Sequence, residues 1–157
     1  MFWCPSRKLE TPKLEHNILW GNYGANRSIL RTSPASWLKT RELTGTPLGY
    51  RSIPHPSQTL LIADSGQSLI SWWYATDNPP RPLRSVSQDF NYIPGLAINE
   101  DRDLLPGQLG DARSGRHPNK TVNVGFADGH AHRMKAEELF VESSVDEYKY
   151  APLWVPK

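Results

Sequence analysis

The chain has 157 residues, of which 38% are hydrophobic, and it contains six Trp and six Tyr. This composition suits one domain with a substantial core and excludes a disordered chain. The 14 prolines and 11 glycines predict a loop-rich fold with short strands. A net charge of +2, from 18 basic and 16 acidic residues, argues against a nucleic-acid-binding surface and a polybasic membrane anchor. No apolar stretch reaches the roughly 18 residues that a membrane span needs.

The first half of the chain contains two predicted strands between irregular segments. Gly and Asn in residues 19–30 favour turns rather than a helix, and residues 36–43 are compatible with one or two helical turns. The apolar run 59–63, which ends at Asp64, predicts a buried strand followed by a turn. Residues 68–74 are rich in β-forming side chains and predict a second strand.

The next segment is predicted to be a long loop. Residues 83–115 contain Pro-Gly pairs and predict a surface excursion that carries Tyr92 and Ile93. At the other end of the chain, residues 148–157 contain two prolines and predict an extended tail that packs through Trp154.

The last third predicts a β-hairpin. Residues 121–127 alternate, which directs Val122, Val124 and Phe126 to the core. The Asp128-Gly129 pair is typical of a two-residue type I′ turn, and residues 130–134 form the returning strand. In that register Ala127 faces His130, Gly125 faces His132 and Asn123 faces Met134. Residues 135–141 contain good helix formers and predict a short helix.

The hairpin carries the candidate metal ligands. His130 and His132 lie two residues apart and project from one face, while Asp128 is at the turn and His117 precedes the first strand. Three imidazoles and a carboxylate suit zinc or another divalent ion. His117, however, lies about ten residues from the turn and would have to fold back. The alternative is that Asp128 serves the turn and that the histidines form a polar face.

Other candidate sites are less specific. Trp72, Trp73 and Tyr74 could stack on sugars if they are exposed, although such a cluster is also typical of a core. Ser65 lacks the setting of a hydrolase nucleophile. Cys4, the single cysteine, excludes an internal disulfide, and its sequence neighbourhood indicates an inert buried side chain rather than an activated thiol.

The C-terminal block resembles a known family. Residues 116–130 combine an Arg-His pair, an Asn, an apolar strand and Phe-Ala-Asp-Gly-His, and they are similar to the signature of prepilin-type proteins known by a His-x9-Asp-Gly motif. The linker departs from that pattern, since ten residues separate His117 from Asp128. Two further blocks agree with the family: the Cys4-Pro5 segment with the Tyr-x-x-Asn element Tyr23–Asn26, and the Pro-Ser-x-Thr strand 56–64 with its terminal acidic residue.

The resemblance implies a fold and a role. The fold is α+β: the antiparallel β-sheet head of a pilin-like protein, with short helices and long loops. Residues 1–157 would form one pseudopilin-like domain, with residues 67–115 as a variable insertion. Such a head is a non-enzymatic structural or assembly subunit of a type II secretion or pilus-like system, in the periplasm or at the cell surface. Its partners are other pseudopilin or pilus subunits, and it reaches the membrane only through an N-terminal apolar helix that the first residues here lack.

The wider pseudopilin group also admits a calcium ion in a loop. Residues 99–103 are acidic but do not have the pattern of an EF-hand loop. Two alternative functions follow from the residues themselves. One is a carbohydrate-binding surface module, which uses Trp72, Trp73 and Tyr74 to bind a polysaccharide. The other is a metal-dependent hydrolase built on His117, Asp128, His130 and His132.

Overall fold

A five-stranded sheet organises the chain. The computed structural model describes residues 4–9, 22–30, 47–77, 92–142 and 151–156. Its strands follow the order β3-β1-β2-β4-β5, and every neighbouring pair is antiparallel except β1 and β3. The prediction of an α+β fold with a mainly antiparallel sheet is confirmed. The strands are β1 (Tyr23–Asn26), β2 (Leu60–Asp64), β3 (Leu69–Ile70), β4 (Thr121–Phe126) and β5 (Ala131–Lys135).

The helices in these ranges are short. Two are α-helical, α1 (Arg27–Leu30) and α2 (Leu109–Ser114). None of the described helices has the length and hydropathy of a membrane span. The 3₁₀ turns are Tyr50–Ser52, Trp72–Ala75, Ala97–Asp101, Pro106–Gln108, Pro118–Lys120 and Ala136–Leu139. The last of these turns lies within the helix predicted over residues 135–141.

The core lies against β2 and β4. As the alternation predicts, Val122, Val124 and Phe126 are buried, while Asn123 between them is exposed. The C-terminal tail covers this core through Trp154, which is fully buried and donates a hydrogen bond from Nε1 to the Leu139 carbonyl at 2.9 Å. Packing through Trp154 is therefore confirmed, although the described tail residues 151–155 form turns and are not extended.

The hairpin register differs by one residue from the prediction. Gly125 pairs with Ala131, Val124 with His132 and Asn123 with Arg133. The loop has three residues, since the Phe126 N–H bonds the His130 carbonyl at 2.9 Å and Gly129, at φ +94°, donates back to Phe126.

The reason for the shift is conformational. A type I′ turn requires positive φ at both central residues. Gly129 has it, whereas Asp128 does not. The Ala127 and Asp128 amides instead donate to the carbonyls of Thr59 and Pro56. These bonds to the segment before β2 remove Ala127 from the pairing with His130.

Two local predictions were wrong. Of residues 19–30, the described part is not a run of turns, because it forms β1 and α1. The buried Asn26 amide fixes the end of β1 by donating to the carbonyls of Leu60 and Trp154, both at 2.9 Å. Residues 68–74 form a strand only over β3, after which the chain turns into the 3₁₀ segment Trp72–Ala75. The helical turns predicted over residues 36–43 lie outside the described residues.

The predicted surface excursion is also corrected. Within residues 92–115, Tyr92, Ile93 and Leu96 are almost fully buried. Asn99 folds this segment onto itself, since its amide nitrogen donates to the Ile93 carbonyl at 2.8 Å and to the Ala112 carbonyl at 2.9 Å. The segment is therefore part of the core and not a loop over the surface.

Candidate functional site

The centre of the candidate site is a buried arginine that follows α2. Arg116 is 3% exposed, and its guanidinium meets the Asp111 carboxylate in a bidentate pair, with Nε 2.9 Å from Oδ1 and Nη2 2.7 Å from Oδ2. The remaining donors reach two backbone carbonyls, those of Asn22 and Ser65. The planar fork of arginine suits this arrangement, because its donors point in fixed directions. Arg116 thereby joins α2 to the segments around β1 and β2.

Asp111 connects several residues of the same network. Its carboxylate also accepts a hydrogen bond from the Tyr92 hydroxyl at 2.7 Å and from the Lys8 backbone amide at 3.0 Å. The N-terminal segment 4–9 is therefore tied to a helix more than one hundred positions away in the chain. Burying a carboxylate is costly unless it is paired and hydrogen-bonded, and Asp111 meets both conditions.

A second carboxylate, Asp64, lies at the end of β2. It is fully buried, and Oδ2 accepts the Asn123 backbone N–H at 2.7 Å and lies 3.1 Å from His117 Nε2. His117 Nε2 is also 2.9 Å from the Asn123 side-chain amide nitrogen. The other oxygen, Oδ1, has no hydrogen-bond partner among the described residues, and Arg116 Nη1 lies 3.7 Å from it.

Cys4 completes the cluster beside Asp64. Its backbone N–H donates to Asn22 Oδ1 at 3.2 Å, and its thiol is buried. One ligand atom from each of Cys4, Asp64 and His117 lies within 4.8 Å of the others. Within the described ranges, these three residues form the one cluster of Cys, His and acidic side chains that could hold a metal ion.

Charges and burial set the ionisation of the surrounding groups. Burial raises the pKa of Tyr23 to about 12, and the neighbouring Cys4 and Asp64 add to this rise. Burial, with the negative charge of Asp111, raises the pKa of Tyr92 well above its usual value. Burial alone would lower the pKa of Arg116, but the charge and hydrogen bonds of Asp111 raise it above its usual value. At neutral pH both phenols are uncharged hydrogen-bond donors and Arg116 is a cation.

The metal ligands predicted from the sequence do not form one group. Asp128 and His130 meet in the hairpin turn, where His130 Nδ1 lies 2.6 Å from Asp128 Oδ1. Asp128 also accepts the His130 backbone N–H, which lowers the pKa of its carboxyl. His132 lies on β5 opposite Val124, whereas His117 joins Asp64 at the opposite end of β4. The two hairpin residues serve the turn, and His130 also stacks on Phe126 with ring centroids 4.4 Å apart.

The predicted sugar-binding aromatics lie on the 3₁₀ segment Trp72–Ala75. The ring centroids of Trp72 and Trp73 are 6.1 Å apart, and the two ring planes are nearly perpendicular, at 82°. Tyr74 is buried, with the Arg27 guanidinium 5.7 Å from its ring centroid. A sugar ring stacks on a flat aromatic face, and the two indole rings do not share one. Carbohydrate binding at these residues stays a prediction.

Comparisons of the chain with protein families, with curated proteins and with solved structures gave no match. The site therefore has to be interpreted from its own geometry. Sequence reasoning did not find Asp111 and the Tyr92 hydroxyl, because both lie in the segment interpreted as a surface loop. The one available signal was the nearby Arg116, since a buried arginine needs a carboxylate partner.

Proposed function

We propose that this chain is a non-enzymatic structural or assembly subunit, the globular head of a pseudopilin-like protein of a type II secretion or pilus-like system. One observation carries the proposal. Residues from all three family-like blocks, namely Cys4, Asp64, Arg116 and His117, meet in the buried network around Arg116 and Asp64. The resemblance is thus supported by a three-dimensional relationship between blocks that lie far apart in the chain.

The contacts of these residues indicate an architectural role for the blocks. The Cys-Pro block contributes the Cys4 amide, which is bonded to Asn22 beside β1. The Pro-Ser-x-Thr block contributes Asp64, and the Arg-His pair contributes Arg116 and His117, which both approach that carboxylate. The second and third blocks are therefore paired with each other, and Cys4 of the first block lies beside both.

The burial of the network also supports an architectural role. A catalytic group has to reach substrate, whereas Arg116 and Asp64 are buried, and Arg116 and Asp64 Oδ2 are bonded to groups within the fold. The polar atoms of the Arg116 guanidinium are used by one carboxylate and two backbone carbonyls. This pattern is typical of residues that fix a loop-rich domain, as an assembly subunit requires.

The experiment is to express the gene, with the reading frame extended upstream, from its own locus with a C-terminal epitope tag. Surface filaments and membranes are separated by shearing, and neighbours of the tagged protein are identified after chemical cross-linking. We expect an upstream apolar helix after a Gly-Phe-type processing site, and pilin-like subunits among the cross-linked neighbours. An ordinary cleaved signal peptide upstream, or neighbours without any pilin-like protein, would contradict the proposal.

A further inference from the structure

We propose that Cys4, Asp64 and His117 form a divalent-metal site, and that zinc is the ion their donor set suits. The site would join three segments, namely residues 4–9, the end of β2 and the loop that precedes β4. This inference does not depend on the proposed function, because it concerns only the ligands and their geometry.

The spacing of the ligand atoms fits one ion. With metal–ligand bonds of about 2.0–2.1 Å to nitrogen or oxygen and about 2.3 Å to sulfur, two ligands of a tetrahedral zinc lie about 3.3–3.6 Å apart. His117 Nε2 and Asp64 Oδ2 are already 3.1 Å apart. All three ligand atoms lie within 4.8 Å of one another, so the Cys4 thiol needs to approach by no more than about 1 Å.

The buried carboxylate of Asp64 gives independent support for a bound cation. Its side chain is fully buried, and Oδ1 has no hydrogen-bond donor among the described residues. A buried carboxylate that has one oxygen without a donor is costly, and a cation held by that carboxylate lowers the cost. The guanidinium of Arg116 satisfies Oδ1 only partly, because it is held by three bonds to Asp111 and stays 3.7 Å away.

The charges of the cluster also favour a cation. Asp64 and Asp111 carry two negative charges, and Arg116 carries one positive charge, which leaves one negative charge in a buried region. Cys4 binds a metal as the thiolate, so its proton is released to solvent when the ion binds. A dipositive ion then balances the remaining carboxylate charge and the thiolate.

The donor types distinguish between metals. Thiolate and imidazole favour zinc or another soft divalent ion, whereas calcium takes oxygen ligands only. Three protein ligands leave a fourth tetrahedral position for water. Because Cys4 is 1% exposed and Asp64 is fully buried, we assign the ion a structural role in fixing segment 4–9 to the sheet.

The test uses untagged protein freed of metal by a chelator and then titrated with Co²⁺, which gives sulfur-to-cobalt charge-transfer absorption when a thiolate binds. We expect one Co²⁺ per chain with that absorption, displaced by one equivalent of Zn²⁺. Cys4→Ala should abolish the charge-transfer absorption, and His117→Gln should weaken Co²⁺ binding at least about tenfold. His132→Gln, which changes an exposed histidine outside the group, should bind as the wild type does.

Urea unfolding of the variants separates loss of the metal site from loss of the fold. The contact of Cys4 with Asn22 uses the backbone N–H, so Cys4→Ala retains it. The metal-free Cys4→Ala and wild-type proteins should unfold at similar urea concentrations, and zinc should raise the midpoint of the wild type alone. Absence of charge-transfer absorption in the wild type would overturn the inference. Equally strong Co²⁺ binding by Cys4→Ala, or loss of binding in His132→Gln, would overturn it as well.

Discussion

Replacing Arg116 by methionine removes the charge at the centre of the buried network while keeping a side chain of similar length. Asp111 then loses its bidentate partner, and Asp64 loses the positive charge of Arg116, 3.7 Å away. The Asn22 carbonyl still accepts the Ser65 N–H at 3.0 Å, whereas the Ser65 carbonyl loses its arginine donor. The variant therefore leaves two carboxylates without their guanidinium and one buried carbonyl without that bond.

The expected cost follows from these losses. Breaking a buried ion pair by removing one partner costs about 3–5 kcal/mol. An unsatisfied buried carbonyl adds about 1–3 kcal/mol, although the two effects do not add fully. We expect Arg116→Met to lower the free energy of unfolding by at least about 4 kcal/mol. Domains of this kind have only about 5–15 kcal/mol in total, so the variant should be close to unfolding.

Urea unfolding followed by tryptophan fluorescence measures this loss. With a slope of about 2 kcal/mol per M, the midpoint should fall by about 2 M. Arg133→Met is the matched control, because Arg133 is exposed and bonds only the Thr121 hydroxyl at 2.9 Å among the described residues. It should stay within about 0.5 kcal/mol of the wild type. The double variant Arg116→Met, Asp111→Asn should lose less than the sum of its single changes. An Arg116→Met protein within about 1 kcal/mol of the wild type would refute the assigned role of the pair.

Two further predictions concern Tyr92. Gly66→Ala should lower the free energy of unfolding by about 1–3 kcal/mol, because a Cβ at Gly66 would overlap the Tyr92 ring. Gly49→Ala, where a Cβ meets nothing within 4 Å, is its control in the same urea assay. The second prediction concerns alkaline pH. Since the folded pKa of Tyr92 is raised, the stability that its neutral phenol contributes is fully present below about pH 10 and is lost as the pH rises toward the folded value. The wild type should therefore lose stability above about pH 10 more steeply than Tyr92→Phe; parallel pH profiles of the two proteins would contradict this.

The sequence predicted the parts of the fold that local periodicity determines. Alternation over β4 gave the three buried positions Val122, Val124 and Phe126, and the apolar run at 59–63 gave β2. The hairpin loop was wrong by one residue because the choice between two and three loop residues depends on long-range bonds. The amides of Ala127 and Asp128 donate to the carbonyls of Thr59 and Pro56, which are far away in the chain.

Strand β1 could not be predicted for a related reason. Its Gly- and Asn-rich sequence is typical of turns, and it becomes a strand through pairing with β2 on one side and β3 on the other. The site depends on non-local structure in the same way. Asp111 has no distinguishing local pattern, and its role appears only when α2 brings it to Arg116 and Tyr92.

The buried polar residues of this protein replace much of what regular secondary structure provides elsewhere. Buried backbone groups need hydrogen-bond partners, and long irregular segments cannot supply them through a ladder. Asn26, Asn99 and Arg116 each donate to two backbone carbonyls that are distant in sequence or belong to an irregular segment. Changing any of them should therefore destabilise the whole fold rather than one surface. Residues that recognise a partner should instead be sought on exposed positions outside the network, such as His132 and Arg133 on the edge strand β5.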